Sequence, residues 1–382
     1  MPDTRTVRAF LEERHLALAE SFDAFASREI ATLPAPETDD TARKQARVIL
    51  GLAGKAGLFG HIVPKPDLRA CCLAREALAS ASPLADAVFA LQGLGSVPIA
   101  LAGSEALKSR WLPAVAEGEA MGAFAMTETE AGSDVASMKT AARRDGDSYV
   151  LDGAKTFISN AGIADFYTVF ASTDLARGNK GISCFVVEAG TPGLRFVKAQ
   201  VLSAPHPLGE ISFSSCRVPI GNRLGEEGGG FKVGMMTLDR LRCTVGASAC
   251  GMAARALAEA KAHVLSRKQF GKPLAEFQLV QHRLAAMAME LTAARLLVYR
   301  AAWEADTGTE RVTVESAMAK AFATEMAQRV VDSALQLLGG KGALAEHPVE
   351  RLYRSVRALR IYEGTTEIQH LVIAGQILKE KA

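Results

Sequence analysis

From Thr4 to about Gly118, apolar and charged residues alternate at three- and four-residue steps, and Pro34, Pro36, Pro64 and Pro66 punctuate the connections. This spacing predicts a helical first third. Between about Met121 and Asn222 the texture changes to short runs, SYVLDGAKTFIS, FYTVFAST, GISCFVVEA, LRFVKAQV and EISFSSCRVP, separated by DGD, RGNKG and TPG turns. A β-domain is expected there. After Gly228-Gly229-Gly230 the helical period returns, and Leu284, Met287, Leu291, Ala294 and Val298 step by three and four, the stripe of a long helix packed in a bundle. The pattern divides the chain into a helical region 1–120, a β-region 121–222 and a helical bundle 223–382. With no internal repeat and no low-complexity tract, the three are expected to fold together.

Composition narrows the function classes. The chain has 382 residues, a length that suits two or three domains. Only 6% of residues are aromatic while Ala and Leu abound, which favours helices over a large all-β architecture. Lys and Arg total 44 against 42 Asp and Glu, a formal charge of +2, so no nucleic-acid partner is expected. Cys71, Cys72, Cys184, Cys216, Cys243 and Cys250 stand in apolar or small-residue settings without a CxxC pair or suitable His spacing. They read as reduced core thiols, and no metal site is expected. The opening MPDTRTVRAFLEERH mixes acids and bases without an apolar run, so neither a secretory nor a transit signal is expected and the protein reads as cytoplasmic. The longest uncharged stretch, Ala87 to Gly103, is interrupted by Gln92, Gly93, Gly95, Ser96 and Pro98, which predicts no membrane span.

Several residues can carry chemistry, each with a plainer alternative. AFAMTETEAGSDVASMKT is rich in Thr, Ser and Gly between apolar runs. Such a segment either brings backbone N–H groups and hydroxyls close to a polar ligand or forms a locally satisfied turn. Glu363, beside Gly364, is either a solvated acid near a helix end or a buried base. Phe157 and Ile158 fit strand core as well as a ligand face. Arg267 suits a helix-end cation or a pyrophosphate contact. Asp239 and Arg242, three residues apart, form either a surface pair or a polar binding position.

Taken together, five motifs resemble those of the acyl-CoA dehydrogenases. Met126-Thr127-Glu128-Thr129-Glu130-Ala131-Gly132-Ser133-Asp134 is similar to the family signature T-E-x-x-A-G-S-D. GAKTFISNAG at 153–162 resembles the flavin-facing strand, SRKQFG at 266–271 the dinucleotide-contacting helix end, and LQLLGGKG at 335–342 the adenosine-side loop. Ile361-Tyr362-Glu363-Gly364-Thr365-Thr366-Glu367-Ile368-Gln369 resembles the C-terminal catalytic signature. The resemblance covers essentially the whole chain.

It implies a mostly α fold with a central β-domain: an N-terminal helical domain, a middle β-barrel and a C-terminal four-helix bundle, assembled as a homotetramer. Glu363 would remove the α-proton of an acyl-CoA thioester while bound FAD accepts a hydride from the β-carbon and passes electrons to an electron-transfer flavoprotein. The backbone N–H of Glu363 and a ribityl hydroxyl would stabilise the enolate oxygen. Met126, Thr127, Phe157, Ile158 and Ser159 would border the flavin ring, and Ser133 the thioester arm or a cofactor phosphate. Arg267, Phe270, Gln278, Gln336, Gly339 and Gly340 match positions holding the pyrophosphate and adenosine, with Thr365 and Glu367 near the adenosine half. Asp239, Arg242, Glu363 and Gly364 match substrate-side positions.

The departures are specific. Phe157 stands where many members have Trp, Ser159 where many have Thr, and Thr129 where Pro is common. Leu241 occupies the position of the base in isovaleryl-type members, so the base is expected in the C-terminal signature. Read without gaps, Ala85 falls where glutaryl-CoA dehydrogenases carry a carboxylate-recognising Arg, which disfavours a decarboxylating reaction. VLSAPHPLGEISF, with Pro205-His206-Pro207, replaces a Gly-x-Arg-x-Ser-type segment, and His206 reads as an exposed loop residue. Two other readings remain for the same scaffold: a flavin oxidase or monooxygenase, and a non-catalytic acyl-CoA-binding relative. Leu91, Leu94, Val97, Leu238 and Leu241 fit an acyl pocket or plain core, and chain length is not legible.

Overall fold

A computed structural model describes residues 3–309 and 311–379. Helices α1 (Glu13–Phe25), α2 (Asp39–Lys55), α3 (Leu68–Ala81), α4 (Pro83–Ala102) and α5 (Glu105–Ala116) occupy the first third. Strands β1 (Gly122–Ala125), β2 (Ala141–Asp145), β3 (Ser148–Ser159), β4 (Phe166–Ser172), β5 (Ile182–Glu188), β6 (Leu194–Ala199), β7 (Leu208–Pro219) and β8 (Arg223–Leu224) follow. Then come α6 (Gly230–Ser266), a short hairpin of β9 (Lys268–Gln269) and β10 (Lys272–Pro273), α7 (Gln278–Asp306), α8 (Thr313–Leu338), α9 (Pro348–Leu359) and α10 (Thr366–Ile377). The helical, β, helical order is the one the periodicity predicts.

Contacts group the chain into two units, one of Met1–Leu33, Leu68–Asp86 and Asp239–Ala382, the other of Pro34–Asp67 and Ala87–Leu238. In the first, α1 packs on α3, α3 on α7, α7 on α8, and α8 on α9 and α10. The stripe read from the sequence faces inward, since Met287, Leu291, Ala294 and Val298 are buried. Each of its larger side chains stabilises the fold by about 1.5–3 kcal/mol. Buried charge runs through the same unit: Arg295 Nε donates to Glu76 Oε1 at 2.8 Å and Tyr299 Oη to Glu76 Oε2 at 3.1 Å. A Cβ at Gly251 would lie 2.2 Å from the Glu76 carbonyl oxygen, so α6 reaches α3 only through a glycine.

In the second unit the strands form one eight-stranded sheet in the order β6-β7-β3-β2-β4-β5-β8, with β1 parallel to β4. β3 and β7 run antiparallel from Ser148 opposite Pro219 to Ser159 opposite Leu208, with a register shift between Lys155 and Ile158. Tyr149, Leu151, Ile158, Val169, Phe185 and Ile211 lie in its buried core. Thr38 and Thr41 close a reciprocal capping box that starts α2, at 3.0 and 3.2 Å.

The uncharged stretch Ala87 to Gly103, where no membrane span is expected, forms most of α4, a continuous helix that accommodates Pro98. α4 is the one described helix long and apolar enough to cross a membrane, yet 72% of its most apolar window is buried within the protein. All six cysteines are buried thiols outside any disulfide.

Candidate active site

Glu363 lies in the turn between α9 and α10. Thr365 caps α10 by accepting the Ile368 N–H at 3.3 Å, and Thr366 N–H donates back to the Arg360 carbonyl at 3.1 Å, so the chain reverses within Arg360–Gly364. The turn requires two successive left-handed residues, Glu363 at φ 52° and Gly364 at φ 88°. For a residue with a side chain this conformation is unfavourable by roughly 1–2 kcal/mol and persists only where neighbours hold it. Lys320 Nζ donates to the Gly364 carbonyl at 2.7 Å, and Gln369 Nε2 to the carbonyls of Glu363 and Gly364 at 3.2 and 3.0 Å. Below the turn, Glu325 Oε1 accepts from Arg360 Nε at 2.7 Å and Thr366 Oγ1 at 2.8 Å.

The carboxylate is poised rather than paired. The residue as a whole is half-buried, but Glu363 Oε2 is shut off from solvent and has no hydrogen-bond partner. Burial pushes its carboxyl above the ordinary carboxylate value, while Arg75, Lys320 and Arg242 pull it back down and Asp86 pushes it up. Those cations are themselves held. Arg75 grips Asp86 through Nε at 2.7 Å and Nη2 at 3.0 Å and donates from Nη1 to Thr244 Oγ1 at 2.9 Å, while Ser248 Oγ donates to Asp86 Oδ2 at 2.7 Å. Arg242 pairs with Asp239, whose other oxygen accepts from Thr313 Oγ1 at 3.1 Å. Arg242 Nε is buried without a partner. Burial pulls Lys320 down to about 8, with Glu363 opposing that shift. A solvent-shielded oxygen without a hydrogen-bond partner, in the field of three cations, can take up a proton where water is excluded.

In the second unit, the end of β3 presents Phe157 and Ser159. At the register shift Phe157 takes φ 55°, and its ring is 60% exposed although it is flanked by buried Thr156 and Ile158. Gln200 Oε1 accepts the Phe157 N–H at 2.8 Å. Ser159 Oγ lies 2.7 Å from His206 Nε2. Behind this face Lys155 Nζ donates to the Met126 carbonyl at 3.0 Å and to Glu128 Oε1 at 2.8 Å, and burial pulls Lys155 down to about 8. Glu128 also accepts the N–H groups of Lys139 and Thr140 at 2.6 and 2.9 Å. The TETEAGSD segment is thereby pinned to β3, with Ser133 exposed.

Family models for the N-terminal, middle and C-terminal domains of acyl-CoA dehydrogenases match residues 12–119, 123–216 and 228–378. The chain belongs to the acyl-CoA dehydrogenase family. It is 43% identical over 317 residues to the short-chain specific acyl-CoA dehydrogenase of Megasphaera elsdenii, covering 82% of each chain. Among solved structures it is similar to butyryl-CoA dehydrogenase from Megasphaera elsdenii, with TM-score 0.87, 37% identity and coverage of 97% of this chain and 99% of that one. A chain from a structure reported as the electron transferring flavoprotein of Acidaminococcus fermentans superposes with TM-score 0.90 at 35% identity, covering 97% and 99%.

Against this family pattern, Glu363, Gly364, Asp239, Arg242 and Thr365 gather in the first unit around one buried charge cluster. Arg242 is buried, which removes the surface-pair reading of Asp239 and Arg242. Glu367 is exposed, and its own backbone N–H and Thr365 hold its carboxyl below the ordinary value. Arg267, Gln278, Gln336, Gly339 and Gly340 are all exposed, and Phe270 is 93% exposed at φ 51°, an arrangement open to a ligand. In the second unit Met126 is buried and Thr127 half-buried, its carbonyl accepting the Thr156 N–H at 3.0 Å. The Ile158 side chain lies in the sheet core, so only its main chain can face a ligand. His206 is corrected: it is half-buried and bonded to Ser159.

Sequence reasoning missed Arg75, Asp86, Lys320 and Gln369. Lys320 did leave a signal, a lysine on the otherwise small and apolar stripe Ala317, Thr324, Ala327 and Val331, all buried.

Proposed function

We propose that this enzyme oxidises a short-chain acyl-CoA thioester to the trans-2-enoyl-CoA, with Glu363 removing the α-proton. The observation that carries the reading is the buried, unpartnered Glu363 Oε2 facing no protein donor while Arg75, Lys320 and Arg242 surround it with positive charge. The short-chain preference is supported by the likeness to the short-chain and butyryl enzymes.

The residues present suit FAD: an exposed aromatic face at Phe157, a hydroxyl at Ser159, a pinned polar loop at Met126, Thr127 and Ser133, and exposed Arg267, Phe270, Gln278, Gln336, Gly339 and Gly340 for the phosphates and adenosine, with Thr365 and Glu367 assigned to the adenosine half. Bound FAD would supply the acceptor for the β-hydride. Three cations oppose the burial that raises the Glu363 carboxyl; Glu363 takes the α-proton at Oε2 and offers its own N–H to the thioester oxygen as charge develops there. Lys320 and Gln369 keep that N–H and the carboxylate in one geometry by fixing the two carbonyls of the turn. Arg242 and Asp239 orient the coenzyme A side. Buried Ala85 supplies no cation for a second carboxylate. Electrons would leave to an electron-transfer flavoprotein, and the assembly would be a homotetramer, with domains at 1–120, 121–222 and 223–382.

Anaerobic mixing of the yellow holoenzyme with butyryl-, octanoyl- and palmitoyl-CoA tests this. Loss of the visible flavin band is expected to be fastest with butyryl-CoA. No loss with any thioester would overturn the reading, and equal rates with all three would overturn the short-chain assignment.

A further inference from the structure

The segment that departs most from the family pattern, Pro205-His206-Pro207, lies against the end of β3. His206 Nε2 is 2.7 Å from Ser159 Oγ, the Pro207 carbonyl accepts the Asn160 N–H at 2.8 Å, and Gln200 bonds Phe157 N–H and Thr156 Oγ1, both at 2.8 Å. Residues 200–207 thus touch four residues of one five-residue stretch. Prolines on both sides restrict the backbone that carries the ring. We propose that His206 is a positioning residue that sets the direction of the Ser159 hydroxyl toward bound FAD. The inference rests on the reading above that puts Ser159 against the flavin.

The chemistry follows from proton counting. A serine hydroxyl has one proton and two lone pairs, and a neutral imidazole nitrogen is either donor or acceptor. If Nε2 carries hydrogen, it donates to Ser159 Oγ and leaves the serine proton free for a ligand acceptor. If Nε2 is bare, it takes the serine proton, and Oγ shows a ligand only lone pairs. A flavin ring nitrogen awaiting a hydride is an acceptor, so the first arrangement is the one that serves it. His206 selects between the two without touching the ligand, which a Thr or Ser on an isolated strand does not achieve.

The test uses holoenzyme carrying Ser159→Ala, His206→Ala, His206→Gln and the Ser159→Ala/His206→Ala double change. FAD per chain, the visible spectrum, the midpoint potential of the bound flavin and the anaerobic reduction rate are measured. Ser159→Ala and His206→Ala are expected to keep FAD, to shift spectrum and potential in the same direction, and to slow reduction about tenfold, the effect of one hydrogen bond. His206→Gln, which retains an N–H donor, is expected to stay within about threefold of the unaltered protein. In the Ser159→Ala background His206→Ala is expected to add nothing. A shifted Ser159→Ala with an unaltered His206→Ala overturns the proposal, as does a His206→Ala effect of equal size with or without Ser159. If Ser159→Ala itself matches the unaltered protein in every readout, the placement of Ser159 against FAD falls and the proposal with it, while reduction through Glu363 is untouched.

Discussion

Lys320 Nζ donates to the Gly364 carbonyl at 2.7 Å, so a buried cation from α8 grips the main chain directly after Glu363. Lys320→Met removes the grip and one of the charges that pull Glu363 down. Flavin reduction by butyryl-CoA is expected to fall by about tenfold or more, and the acid limb of the pH–rate profile to move to higher pH. Stability should respond in the opposite sense. Because the folded Lys320 sits near 8 instead of 10.5, the unfolded chain binds the extra proton between those values. The unaltered protein therefore gains stability as pH rises from about 8 toward 10.5, and Lys320→Met should lose that rise. Thermal melts across that range check the sign.

Gly364 is the residue of the turn least open to change. At φ 88°, with an added Cβ only 2.5 Å from Gln369 Nε2, Gly364→Ala must strain the backbone and displace a donor that holds Glu363. A loss of about 1–3 kcal/mol in denaturant unfolding is expected, with a larger proportional loss of flavin reduction.

Arg75 and Asp86 are both buried and share two hydrogen bonds. Arg75→Met strands the Asp86 carboxylate, and a loss of about 3–5 kcal/mol is expected by urea titration. The companion change Arg75→Met/Asp86→Leu should recover most of it. Failure of the pair to recover stability would mean that Thr244 and Ser248, not the ion pair, account for the loss.

What the sequence makes legible follows from what each residue contacts. The strands from Ser148 to Ser159 and from Phe166 to Ser172 were readable because short runs bounded by turn residues are local signals, and so was the Met287 to Val298 stripe. Glu363 stands out in the sequence as the acid of the C-terminal signature it resembles. The cations around it do not, because Arg75, Arg242 and Lys320 come from α3, α6 and α8 and meet only when those helices pack. His206 was misread because flanking prolines mark a loop, whereas its partner Ser159 is 47 residues away.

Lys155 is the counterpart on the β-sheet, buried with Nζ on the Met126 carbonyl and Glu128. Lys155→Met should free both, and the purified protein is expected to carry less FAD per chain while its helices unfold at nearly the same urea concentration. Full FAD content would contradict the assignment of Met126 and Thr127 to the flavin.

The central claim is that Glu363 is the base, and rapid mixing of Glu363→Gln holoenzyme with butyryl-CoA under anaerobic conditions tests it most directly. Retained yellow colour, retained binding of butyryl-CoA, and loss of the visible band slowed by about 10²–10⁴ are expected. In the unaltered protein, the rate should decline as pH falls through the raised carboxyl value, since protonation removes the acceptor. Bleaching of Glu363→Gln at the unaltered rate would contradict it and send the α-proton elsewhere.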